Sequence, residues 1–230
     1  MRRRALLAAA GGLAWPARAE AGPVDLRLVL AVDVSRSIDP AEARLQREGY
    51  RSAMSDKAVI AAITGGTLGA AAVAYVEWAG FTIQNLVLPW TRIASAAEAE
   101  AWSARLAKAP RASLSRTSIS GALRFSGRLL AACPWEGTRQ VIDVSGDGVN
   151  NNGPPAEEER DRLVAQGVTI NGLPIVNERP NFGMAPDGRL ETYYRESVIG
   201  GPGAFLIVAA DFADFGTAIR RKLIQEIALR

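Results

Sequence analysis

Apolar and polar positions recur with two different periods along this chain, and each change of period marks an element. Residues 26–32, Leu-Arg-Leu-Val-Leu-Ala-Val, form a nearly continuous apolar run of strand length, the pattern of a strand covered on both faces. Asp39-Pro40 then opens a helix, with Asp39 suited to the N-cap and Pro40 to the first helical position. This helix is expected to reach about residue 54, with a second short piece to 63. Residues 71–78 and 82–89 read as two strands joined by a tight turn at Ala79-Gly80, an antiparallel hairpin. A helix capped by Ser95 follows over 95–108, and another over 118–132 places Ala122, Phe125, Leu129 and Ala132 along one side. Residues 140–145 form a strand ending at Gly146-Asp147-Gly148. A helix over 155–166 stops at Gly167, and residues 168–173 return as a strand. Residues 177–190 are a Pro/Gly/Asn-bearing loop, long enough to suggest function or mobility. A helix over 190–198, a last strand over 205–209 and an amphipathic helix over 211–229 complete the pattern.

Strands alternating with helices favour parallel pairing, because a parallel pair needs a crossover connection. The expected architecture is α/β: a Rossmann-like, doubly wound, mostly parallel six-stranded sheet with one antiparallel edge strand and helices on both faces. One domain over residues 24–228 accommodates it. In such a sheet, ligands bind beyond the strand carboxyl ends, near the point where the winding reverses. Asp33, Ser35 and Ser37 leave one such end and Asp147 another.

Composition narrows the chemistry. The chain has 230 residues, 48% hydrophobic and 22% charged, an ordinary globular balance. Arg2-Arg3-Arg4, the short apolar run 5–14 and Ala17-Arg18-Ala19 have the order of a secretory signal peptide over residues 1–19, with a second cleavage site at Ala19-Glu20-Ala21. Arg3-Arg4 also loosely matches a twin-arginine signal, so the Sec and twin-arginine routes both stand. Removing residues 1–19, with four arginines and no acid, takes the formal charge from +3 to −1. No dense basic stripe remains for nucleic acid, and no later apolar run spans a bilayer. The lone Cys133 has no internal disulfide partner and reads as a packed thiol. The chain has no histidine, which removes a Ser-His-Asp triad and histidine zinc sites. Thiolate zinc sites go with the missing cysteines, and oxygen ligands remain.

Asp33-Val34-Ser35-Arg36-Ser37 places three oxygen-bearing side chains at alternate positions, a set suited to a hard divalent cation; the same residues also suit a strand followed by a helix cap. Thr117 lies in the loop before a helix, and Ser145-Gly146-Asp147-Gly148 closes a strand. In this order and context, D-x-S-x-S, a distant threonine and a strand-terminal S-G-D-G, the chain resembles the von Willebrand factor type A domain and its metal-ion-dependent adhesion site. Asp33-Val34-Ser35-Arg36-Ser37-Ile38-Asp39 and the segment 141–148 are similar to an exported bacterial branch of that superfamily, DUF1194. The resemblance covers roughly residues 24–228. It implies that Ser35, Ser37 and Thr117 ligate the cation through hydroxyls, while Asp33 and Asp147 supply negative charge directly or through water. One departure stands out: the family's usual threonine directly before the aspartate is absent, and Gly146 intervenes between Ser145 and Asp147, which leaves open whether Asp147 reaches the ion. Asp143, inside the strand, reads as a structural acid paired with Arg139 or capping a neighbour.

The implied function is an exported, non-catalytic binding module, periplasmic or secreted. Its cation would be Mg²⁺, with Mn²⁺ or Ca²⁺ as alternatives, and an open coordination position would take a carboxylate from an envelope or extracellular protein or an acidic ligand. A metal-assisted hydrolase of phosphoester type is the alternative, since acids at strand ends also build such sites. Asp39 and Glu42 are more economically read as a cap and a first-turn acid than as its base. A structural domain with a decayed site is the third reading. Asn150-Asn151-Asn152 is expected to shape the rim of the site, the loop 177–190 to contribute to partner specificity, and Trp78 and Trp90 to pack.

Overall fold

The computed structural model describes residues 22–110, 116–176 and 189–229; residues 1–19, read above as a signal peptide, and most of the loop 177–190 lie outside them. The five strands are β1 (Val24–Asp33), β2 (Ala71–Trp78), β3 (Gln84–Ile93), β4 (Gly137–Gly146) and β5 (Thr169–Pro174). They form one sheet in the order β3-β2-β1-β4-β5. β1 pairs in parallel with both β2 and β4, β5 pairs in parallel with β4, and β3 runs antiparallel on the β2 edge. The chain builds outward from β1 to β3 and then returns to the other side of β1, so the winding reverses between β1 and β4.

Six strands were expected; among the described residues five form. Residues 205–209 do run beside β5, but only as isolated bridges at Leu206 and Ala209. The interruption has a covalent cause. Gly172 exchanges bonds with Phe205 O and Ile207 N, and the Ala209 N–H reaches Pro174 O, but Pro174 has no N–H to return the next rung. The Phe205 N–H is also turned inward, onto Asn171 Oδ1 at 3.0 Å.

The pleat of β1 sorts the two faces. Leu26, Leu28, Leu30 and Val32 enter one core with Tyr50, Met54, Trp102, Phe215, Ile219 and Leu223, while Val29 and Ala31 enter the other with Ile119, Leu123, Leu163 and Tyr194. The first layer holds α1 (Pro40–Met54), α2 (Lys57–Thr64), α3 (Ala96–Lys108) and α7 (Phe215–Ala228); the second holds α4 (Ile119–Ala131), α5 (Ala156–Val164) and the short α6 (Leu190–Tyr193), which runs into a π-helical turn, Tyr194–Val198. The expected helix over 190–198 is thus split, and the one over 211–229 is shorter at its start. The α1 start follows its sequence signature. Asp39 Oδ1 accepts from the N–H groups of Ala41 and Glu42, and Glu42 Oε2 accepts from the Asp39 N–H at 2.8 Å, a reciprocal capping box. Gly49 lets α1 and α7 touch: a Cβ there would lie 2.8 Å from Phe215 Cδ1.

Candidate metal centre

β1 and β4 end side by side, and the residues singled out at their ends converge. The Asp33 carboxylate turns back to accept the Ser35 N–H on Oδ1 at 2.7 Å, which curls the chain and lines up the next hydroxyls. Ser35 Oγ lies 3.1 Å from Ser37 Oγ, and Ser37 Oγ donates to Asp147 Oδ1 at 2.7 Å. Thr117 Oγ1 donates to Ser35 Oγ at 3.2 Å. All five candidates therefore belong to one connected cluster, gathered from three segments far apart in sequence. Asp33, Ser35, Thr117 and Asp147 are buried, and Ser37 is partly exposed.

Gly146, the departure from the family's usual pattern, stands at a crowded point. A Cβ at 146 would sit 2.9 Å from Asp33 Oδ2 and 3.0 Å from the Tyr194 hydroxyl. A larger residue would have to displace one of these side chains where β4 passes Asp33, and Asp147, one position on, meets Ser37. Ser145 belongs to the opposite pleat, with its hydroxyl 3.1 Å from the Tyr50 hydroxyl.

Asp143 shares that opposite pleat. Its partner is not Arg139, which instead donates to the carbonyls of Glu226 and Ile227 near the end of α7. Asp143 Oδ1 lies 2.5 Å from Lys222 Nζ, both side chains fully buried. Lys222 also reaches Glu226 Oε1 at 3.4 Å, and the Asn171 amide donates to the same oxygen at 2.6 Å. Asp143 is thus a structural acid joining β4 to α7, remote in function from the cluster.

The asparagine run does more than form a rim. Asn151 Oδ1 accepts the Thr117 N–H at 3.0 Å and the Asn151 N–H returns to Thr117 O at 2.9 Å. Asn150 Oδ1 accepts the Ser120 N–H, and Asn152 Oδ1 accepts the Phe81 N–H at 2.8 Å. Ser118 caps α4 on the Gly121 N–H and donates to Asn152 O at 2.6 Å. Three consecutive amides thus stitch the loops after β2, before α4 and after β4, and hold Thr117 over Ser35. Triple asparagine in a turn was a visible signal; which backbone groups it would satisfy was not.

The electrostatics suit a cation. Burial first, and then the negative charge of Asp147, push the Asp33 carboxyl well above its usual range, the expected behaviour of two acids sharing a dry site. Asp33 Oδ2 is buried without a hydrogen-bond partner, a costly state for a carboxylate oxygen. Among the described residues no three His, Cys, Asp or Glu side chains cluster as a metal site, so any cation here relies on the hydroxyls. Three hydroxyls with two carboxylates, all oxygen, match the preference of Mg²⁺ or Mn²⁺. Asp39 and Glu42, the imagined hydrolytic base, are held in the capping box.

The sequence matches the model of a family described as "Protein of unknown function (DUF1194)" over residues 23–230. The chain belongs to the DUF1194 family. A search of curated proteins finds no match. Among solved structures, proximal thread matrix protein 1 from the mussel byssus, with a zinc-occupied MIDAS motif, is similar over 90% of this chain and 46% of its own, at 18% identity and a TM-score of 0.62. A von Willebrand factor type A protein from Catenulispora acidiphila is similar over 89% of this chain and 43% of its own, at 14% identity and a TM-score of 0.58. BatB from Bacteroides thetaiotaomicron covers 88% of this chain and 98% of its own length, at 17% identity and a TM-score of 0.55. This DUF1194 chain spans less than half of the first two proteins. At such identities the likeness is one of fold, and the fold is that of a von Willebrand factor type A domain with five strands.

Proposed function

We propose that this DUF1194 protein is an exported binding module that holds a divalent cation, Mg²⁺ or Mn²⁺ foremost, with Asp33, Ser35, Ser37, Thr117 and Asp147, and uses it to bridge to a carboxylate of a partner. The observation that carries this reading is the convergence of three hydroxyls and two buried acids at the reversal point of the sheet, with Asp33 Oδ2 lacking a partner. Neutral hydroxyls leave a cation only partly neutralised, so it stays attractive to an incoming acid, and Mg²⁺ keeps exchangeable positions for one. The mussel byssus structure, whose MIDAS motif holds zinc, lends support by likeness of fold. Export rests on the basic, apolar and A-x-A segments of residues 1–19; among the described residues no helix is long and apolar enough to cross a membrane. The partner is an envelope or extracellular protein, or a small acidic ligand.

Isothermal titration of the mature protein with Mg²⁺ and Mn²⁺ tests the reading. Saturable binding is expected for the wild type and its loss in Asp33→Ala; equal titration curves for the two proteins would sink it.

A further inference from the structure

The π-helical turn after α6 presents a side chain that the cluster itself does not account for. Tyr194 is fully buried, and its hydroxyl has no hydrogen-bond partner. Buried tyrosine hydroxyls usually find one. The position of this one is set by the pleat: Val29 and Ala31 of β1 face the layer containing Tyr194, and Asp33 continues that alternation. The Tyr194 hydroxyl and Asp33 Oδ2 accordingly approach the same point over Gly146, at 3.0 and 2.9 Å from where a Cβ would stand. Two buried polar atoms, both without partners, thus flank one small space that glycine keeps open.

The local backbone serves this placement. The Ile199 N–H closes the wide turn on Tyr194 O at 2.9 Å, a geometry found mostly as single turns and frequently at functional sites. The preceding Tyr193 holds the other side of the site, its hydroxyl accepting the Asn150 N–H at 3.2 Å. The two rings pack edge to face with centroids 6.3 Å apart.

We infer that Tyr194 is a positioning residue for the metal centre: with a cation bound, its hydroxyl closes the Gly146 space and donates to Asp33 Oδ2, opposite the Ser35 N–H on Oδ1, and so holds the carboxylate oriented. The inference rests on the proposed cation site and names a part of it that no ligand pattern contains. Outer partners of this kind typically change metal affinity by about 10- to 100-fold. The same hydroxyl does little for the metal-free fold, because there it satisfies nothing.

The test is Mn²⁺ titration of the wild type, Tyr194→Phe and Gly146→Ala, with the melting temperature of each protein measured in chelator and in excess Mn²⁺. Tyr194→Phe removes one oxygen and keeps the ring. It is expected to melt with the wild type in chelator, to bind Mn²⁺ about tenfold more weakly, and to gain less from added Mn²⁺. Gly146→Ala, which fills the space between the two oxygens, is expected to weaken Mn²⁺ as well. Mn²⁺ affinity in Tyr194→Phe equal to the wild type overturns the inference, as does a weakening matched by an equal fall of the melting temperature in chelator. Absence of Mn²⁺ binding by the wild type itself overturns the cation site, a result distinct from either.

Discussion

At the scale of single residues, place in the fold decides role more than residue type does. Asp33, Asp143 and Asp147 are all buried aspartates near strand carboxyl ends, yet they divide between two chemistries. Asp33 and Asp147 meet the hydroxyls, while Asp143 meets Lys222 on the opposite face. Removing a hydroxyl and removing the third acid should therefore read differently. Ser35→Ala and Ser37→Ala are each expected to weaken Mn²⁺ binding by about tenfold or more, with Ser37→Ala also releasing Asp147. Asp143→Asn is expected to leave the Mn²⁺ titration unchanged. A titration in which Asp143→Asn loses the metal and the serine variants keep it would reverse these assignments.

At the scale of elements, the least economical contact is the one between β4 and α7. Lys222 is fully buried and stands between Asp143 and Glu226, with its ammonium 5.4 Å from the centre of the Phe205 ring. Burying charges costs more than an exposed pair returns, but removing the one cation from such a group is worse, since it strands the acids. Lys222→Met is expected to destabilise the protein by about 3–5 kcal/mol, measured by urea unfolding. The double variant Asp143→Asn/Lys222→Met should recover part of that loss; an additive loss in the double variant would show that the two residues do not act on each other. Elements also settled the strand count. Residues 205–209 carry the apolar pattern of a strand, and the missing N–H of Pro174, on the neighbouring strand, limits them to isolated bridges.

At the scale of the whole molecule, the buried acids give metal-free stability a direction with pH. Burial pushes Asp143 up to about 7, against the pull of Lys222, and Asp33 is raised too. A raised acid keeps its proton in the folded chain where the unfolded chain has lost it. Stability from this source is full below the ordinary carboxylate value near 4 and is lost as pH rises towards about 7. Urea unfolding in chelator at pH 5 and pH 8 should show the wild type less stable at the higher pH, with a smaller difference in Asp143→Asn; an unchanged difference would remove Asp143 as its source. The cation runs the other way, because it needs Asp33 ionised, so Mn²⁺ affinity should rise with pH. The sequence by itself determined the order of the five strands and of the main helices and the oxygen-only donor set, because apolar period, caps and the lack of histidine are local facts; the five candidates came from its resemblance to a known domain. It did not contain that Asp143 meets Lys222 of α7, which backbone groups the three asparagines join, or what crowds position 146. Those depend on side chains that approach from segments distant along the chain, and only the packing of α7 and of the Tyr193-Tyr194 turn against the sheet decided them.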